Sequence, residues 1–318
     1  MKTSVSVVMS VYNGADHLVK SVESILVQEG VDFEFIIVND GSTDESGKIL
    51  EEFARRDNRV HVIEQENTGL TKALIRGCKE ARGKYIARQD VDDVSMTGRL
   101  KALENILDCN KDMVLAFSWT NCIAPDGEIV RRINTSDDIE ETTRKLREEM
   151  IGVPAHGSVM FRKDAYNQVG GYNKEFYYAQ DCDLWLRMAW EGRIGCVKEY
   201  LYNLCLSPES ISSSRRGIQG QFTRLARDCY LARKLNKPES TILERVSVLR
   251  QHAIRNKANS ATSRDIATTY FLIASGLEEQ NNYHKAVNFY LKAIKSYPFH
   301  FRAWRGVTFN VIKRLTSL

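Results

Sequence analysis

No stretch of the 318-residue chain approaches the ~18 consecutive apolar residues of a membrane-spanning helix, so none is expected. The N-terminus enters a β-rich run directly, without a charged segment leading into an apolar core, and no signal peptide is expected. The seven cysteines (78, 109, 122, 182, 196, 205, 229) contain no CxxC pair and no metal-ligand spacing. An odd count scattered through apolar elements reads as reduced, cytosolic thiols, and in that setting the sequon Asn134-Thr135-Ser136 carries no meaning. A large charge excess is missing as well: the net charge of +4 is too small to imply nucleic-acid binding. No GxGxxG follows the first strand, which disfavours a dinucleotide site. Residues 41–48 (GSTDESGK) have five residues between the glycines and Ile49 where a phosphate loop needs Ser or Thr.

What is present is ordinary soluble-protein composition, 43% hydrophobic and 27% charged. The length suits one large α/β domain plus an appendage. Charge is unevenly spread. After Glu279 there is no acid, while Lys285, Lys292, Lys295, Arg302, Arg305, Lys313 and Arg314 give a local charge of +7.

Ser4 to Val11 reads as a buried parallel strand, with Asp16 a candidate cap for the helix that follows. Residues 33–38 form a second strand, stopped by Asn39-Asp40-Gly41-Ser42. Strand Val60 to Ile63, helix Thr68 to Ala81 and strand Tyr85 to Arg88 complete a β-α-β-α-β-α-β alternation. This pattern predicts a doubly wound, mostly parallel α/β sheet, in which ligands sit beyond the carboxyl ends of strands. Further on, Met113 to Ile123 and His156 to Phe161 read as strands. A turn is expected at Pro125-Asp126-Gly127, helices over Asp137 to Met150 and Asp181 to Trp190, and β structure over Ile194 to Leu206. From about Arg215 onward every pattern is helical, placing a catalytic domain at 1–215 and a helical C-terminal region at 216–318. Within it Tyr270, Ile273, Ala274 and Leu277, then Ala286, Tyr290, Ala293 and Pro298, with Trp304, fall at offsets similar to a tetratricopeptide hairpin.

Residues 84–93 (KYIARQDVDD) say most about chemistry. A short strand ends in three carboxylates, Asp90, Asp92 and Asp93. Carboxylates this close repel one another, and a cation relieves that cost. Hard oxygen ligands suit Mg²⁺ or Mn²⁺ shared with substrate phosphates.

In order along the chain stand SVVMSVYNGADHLVKSVESIL, FEFIIVNDGSTDES, NTGLTKALIRGCKEARGKYIARQDVDD, HGSVMFRKDAYNQVGGY and YYAQDCDLWLRM. Together they closely resemble family-2 glycosyltransferases of GT-A fold, over roughly residues 3–215. The resemblance implies an inverting transferase that uses a nucleotide-sugar, most often UDP-linked. Asp40 would accept the uracil N3–H, framed by Val11, Tyr12 and Asn13. Thr68, Gly69 and Lys72 would contact the nucleotide. Asp92 would hold the metal directly, and Asp90 would serve the ribose or the metal's water shell. Asp181 matches the general base, at a helix N-terminus that favours its ionised form. The family usually carries Glu before this Asp; here Gln180 lowers the local charge and puts that residue's acceptor contacts in doubt. Asp183 is the competing base. His156 is a candidate for the diphosphate or metal, and Arg215 and Arg216 for a basic segment over the diphosphate.

The expected partners are a UDP-sugar and a glycan or lipid-linked acceptor, as in bacterial surface polysaccharide synthesis, with no nucleic acid. The rival readings are a nucleotidyltransferase and a catalytically silent nucleotide-sugar sensor. The protein is expected in the cytoplasm. Its basic, aromatic tail (Phe299, Phe301, Trp304, Phe309, Ile312) either contacts an anionic membrane face or packs inward.

Overall fold

The computed structural model describes residues 3–135, 138–152, 154–208, 210–255 and 261–316. Elements run β1 (Val5–Val11), α1 (Ala15–Leu26), β2 (Phe33–Asp40), α2 (Ser46–Arg56), β3 (Val60–Gln65), α3 (Leu70–Glu80) and β4 (Tyr85–Arg88). Then come β5 (Val94–Ser95), α4 (Arg99–Cys109), β6 (Met113–Ile123), β7 (Ile129–Ile133) and α5 (Ile139–Arg144). A π-helical turn (Lys145–Glu149) and a 3-10 turn (His156–Ser158) precede β8 (Val159–Arg162), α6 (Lys163–Gln168), α7 (Gln180–Glu191) and β9 (Arg193–Cys205). The rest is helical: α8 (Ile211–Ser214), α9 (Arg216–Lys234), α10 (Ser240–Arg255), α11 (Ser263–Glu279), α12 (Tyr283–Ser296) and α13 (Phe301–Thr316).

The sheet runs in the order β3-β2-β1-β4-β8-β6-β9-β5. β3, β2, β1 and β4 are mutually parallel, while β8 pairs antiparallel with both β4 and β6. Parallel strands covered on both faces should be apolar almost throughout. β1 obeys, with Val5, Val7, Val8, Met9 and Val11 all buried. Leu18, Val22 and Ile25 of α1 and Leu100, Leu103 and Leu107 of α4 join that core. Chain order reverses between β1 and β4, and the crevice at such a switch point is where open α/β sheets hold ligands. Val11, Asp40 and Arg88 end their strands on that side.

Three local expectations are corrected. Asp16 does not cap α1. Gly14 is the cap residue, without a side-chain bond of its own, and its amide donates to Ser46 Oγ at 3.0 Å. His156 lies in the 3-10 turn, not in a strand, because the strand begins at Val159. The helix expected up to Met150 changes to π geometry at Lys145 and ends with Met150 left-handed (φ 55°). Asp137, its expected start, and Ser136 of the sequon lie outside the described residues.

Two compact units interleave along the chain, and both draw on segments either side of residue 215. The first comprises Met1–Thr120, Asn134–Leu204 and Gln221–His252; the second Asn121–Ile133, Cys205–Gly220 and Ala253–Leu318. In the second, α11 and α12 form a helical hairpin around Ile273, Ala274, Leu277, Ala286, Phe289, Tyr290 and Ala293. The turn at Pro125-Asp126-Gly127 is closed by the Gly127 amide on Ala124 O at 2.9 Å, with Gly127 left-handed.

Candidate active site

The site is built from loops at the carboxyl ends of the parallel strands. Val11 ends β1, buried and in register with Asn39. Tyr12 follows, 46% exposed. Asn13 turns left-handed (φ 51°), a conformation Asn tolerates better than most residues. Its amide donates to Ser42 Oγ at 3.0 Å and its Oδ1 accepts from the Thr43 amide at 2.8 Å. Asp44 continues the seam, its Oδ2 accepting from the Ala15 amide at 3.1 Å. Residues 13–15 are thus stitched to residues 42–44, and the Asn13 side chain braces the loop.

Asp40 ends β2 with a buried carboxylate. Oδ1 accepts from the Thr68 amide at 2.8 Å and from Gln65 Nε2 at 2.7 Å; Oδ2 accepts from the Gly69 amide at 2.8 Å. Gly69 has φ 92°, and a Cβ there would press on the Tyr177 ring, so both space and backbone require glycine. Thr68 is exposed, and so is Lys72 in the first turn of α3.

Beyond β4 the chain gathers its charged groups. Arg88 is wholly buried; its Nη2 donates to Asp90 Oδ1 at 2.7 Å, its Nε to His156 Nε2 at 3.2 Å and its Nη1 to Gln89 O at 3.1 Å. A guanidinium can only donate, so His156 Nε2 is an acceptor and the ring is the Nδ1–H tautomer. The Tyr172 hydroxyl, 2.7 Å from the same nitrogen, then donates to it. Burial first, and Arg88 second, hold His156 well below the usual 6.5, so it is neutral. The Asp92 carboxyl is pushed up to about 6, by burial and then by the Asp90 charge, with His17 pulling the other way. Asp93 is buried and accepts the Tyr202 hydroxyl at 2.8 Å. It does not cap α4, where Gly98 occupies the cap position.

Asp181 lies in the first turn of α7, after the left-handed Ala179. Its Oδ1 accepts from the Cys182 amide at 2.8 Å. Burial raises its pKa and the Asp90 charge adds to that; the Cys182 amide and Arg88 oppose them. The charges of Asp90 and Arg88, themselves paired at 2.7 Å, are thus both felt at Asp181. Asp183, the competing base, is tied to Arg187 through one carboxylate oxygen. It is fully buried and its Oδ2 accepts from Arg187 Nη2 at 2.5 Å and Nε at 3.1 Å. Trp185 is also buried, its ring 5.9 Å from His156 and 5.7 Å from Phe161. Arg215 and Arg216 belong to the second unit, where Arg216 Nη2 lies 3.4 Å from Thr269 Oγ1.

Among the described residues no group of three or more His, Cys, Asp or Glu side chains is arranged to hold a metal. Asp90 and Asp92 nonetheless fit a hard divalent cation. Burial first, and the neighbouring Asp90 charge second, disfavour ionisation of Asp92, a cost that a bound cation would relieve.

Residues 6–170 match glycosyl transferase family 2, and the chain belongs to that family. An uncharacterized glycosyltransferase of Methanocaldococcus jannaschii is 32% identical over 205 residues, 63% of this chain and 70% of that protein. A chondroitin synthase of Escherichia coli is 32% identical over 216 residues, which cover 68% of this chain but 31% of the synthase. Among solved structures, S. aureus TarS 1–349 in complex with UDP-GlcNAc superposes with a TM-score of 0.55 at 15% identity, over 97% of this chain and 89% of that one. That likeness fixes the fold: a GT-A type domain with helical C-terminal structure. The chain is a glycosyltransferase.

Proposed function

We propose that this glycosyltransferase moves a hexosyl or N-acetylhexosaminyl group from a UDP-sugar to a glycan or lipid-linked acceptor, with inversion and with Mn²⁺ or Mg²⁺, in surface polysaccharide synthesis. The observation that carries the reading is Asp181 in the first turn of α7, under the influence of the Arg88–Asp90 pair. It supports a base that acts near the acidic cluster, and single-displacement inversion requires no second nucleophile.

Asp40 receives the uracil. Among the described residues its Oδ2 accepts only from the Gly69 amide, and a carboxylate oxygen has about two acceptor sites, so capacity for the base N–H remains. Asp92 and Asp90 would hold the cation, which when bound would supply positive charge against the diphosphate. Asp181 takes the acceptor hydroxyl proton. The acceptor oxygen forms its bond to the anomeric carbon as the bond from that carbon to the β-phosphate oxygen breaks, and the electron pair leaves with UDP. Burial of Asp181, with the Asp90 charge, raises its basicity, while the Cys182 amide and Arg88 favour its ionised form.

The test is product analysis with a panel of UDP-sugars, with Mn²⁺ and with chelator. UDP release that needs Mn²⁺ supports the proposal. Pyrophosphate release from a nucleoside triphosphate would replace it with a nucleotidyltransferase. Donor binding without turnover, across a panel of glycan and lipid-linked acceptors, would replace it with a sensor.

A further inference from the structure

The two faces of α13 differ in kind. Ala303, Gly306 and Asn310 are buried, with Gly306 lying against the Tyr290 ring. At about 3.6 residues per turn, Phe301, Trp304, Thr308, Val311 and Ile312 fall together on the other side. This side faces water: Phe301 is 77% exposed, Ile312 56% and Trp304 50%, and Phe299 just before the helix is 68% exposed. Arg302, Arg305 and Lys313 border the strip, and Phe309 lies among them, its ring centroid 5.7 Å from Lys313 Nζ. Trp304 Nε1 donates to Pro298 O at 2.9 Å, so its polar edge is satisfied and the ring offers apolar surface. Scattered exposed apolar residues need no account, but a contiguous strip on one helix does.

We propose that this face docks in the headgroup plane of an anionic lipid bilayer. Two observations select that occupant. Aromatic residues bordered by Arg and Lys match what an interfacial helix presents: apolar groups for the acyl boundary and cations for the headgroups. In addition no acid follows Glu279, while residues 280–318 carry seven Lys and Arg. An anionic leaflet attracts such a segment. A second copy would bring the same cations against each other. The inference does not depend on donor chemistry, and its failure would leave the transferase reading untouched.

Flotation of the full-length chain decides it, with phosphatidylcholine vesicles and with vesicles in which about a third of the lipid is phosphatidylserine. The parent should float with the anionic vesicles and be released by salt. The triple variant Phe301→Ser, Trp304→Ser, Ile312→Ser should lose vesicle binding by about tenfold or more. The pair Arg302→Glu, Arg305→Glu should lose the anionic preference. These residues are exposed, and an unchanged melting temperature checks that the fold persists. A parent that stays unbound at low salt, or binds neutral vesicles equally well, or variants that float like the parent, would overturn the proposal. Self-association that the triple variant abolishes, with no flotation, would assign the face to a second copy instead.

Discussion

Arg88 and Asp90 form an ion pair of 2.7 Å at the end of β4, with the guanidinium wholly buried and the carboxylate 28% exposed. The same guanidinium reaches His156, Val8 O and Gln89 O, so one side chain fixes the acidic cluster to β1 and to the 3-10 turn before β8. Removing one partner of a buried pair leaves the other uncompensated, at about 3–5 kcal/mol. Arg88→Met should lose stability of that order in urea unfolding. Arg88→Lys keeps the charge without the planar fork and should fall between. A lysine variant as stable as the parent would show that the fork geometry does not matter.

Asp40→Ala removes the acceptor for the Thr68 and Gly69 amides and for Gln65. Each donor left buried and unsatisfied costs about 1–3 kcal/mol. The variant should melt earlier and bind UDP more weakly in calorimetry. Earlier melting with parental UDP affinity would reduce Asp40 to a loop brace.

Gly157→Ala should damage the acidic cluster from a distance. A Cβ at Gly157 would collide with the Tyr202 ring and hydroxyl, and that hydroxyl holds Asp93 and lies 3.3 Å from the Asp90 amide. Overpacking of this kind costs about 1–3 kcal/mol. Both stability and Mn²⁺-dependent UDP affinity should drop. Loss of stability alone would separate Tyr202 from the cluster.

The strand ends and their carboxylates were legible because the signal is local. Buried β runs stop at polar residues, and Asp40, Asp90 and Asp92 follow directly. The bracing groups were not legible. Arg88 reads as the last residue of a strand, and nothing local says that its charge is buried or that His156, sixty-eight positions away, is its partner. Tyr202 meets Asp90 and Asp93, and Gly157 lies against Tyr202, only because the fold brings distant segments together. Asp183 stood as a competitor to Asp181 in QDCDLW, and its ion pair with Arg187, one helical turn on, was not legible there. Asp16 resembled a cap because its real competitor, Ser46 Oγ on the Gly14 amide, lies 32 residues on.

His156 sets a pH dependence of stability. Its folded pKa lies well below 6.5, so below about that value the unfolded chain takes up a proton that the folded chain does not. The contribution is complete above the unfolded pKa and is lost as pH falls toward the folded one. Between about pH 7 and pH 5 the parent should lose more stability than His156→Gln. Parallel curves would mean that the ring accepts its proton in place.

The account rests on Asp181 as base, and Asp181→Asn tests it most directly. The substitution keeps the side chain's shape and can keep the bond from the Cys182 amide. UDP-sugar affinity by calorimetry should stay within a small factor of the parent, while transfer should fall by about 10²–10⁴-fold. In the parent, kcat should rise with pH through a pKa above that of a free Asp, and this limb should vanish in the variant. Near-normal transfer by Asp181→Asn, with the acidic limb intact, would contradict the account.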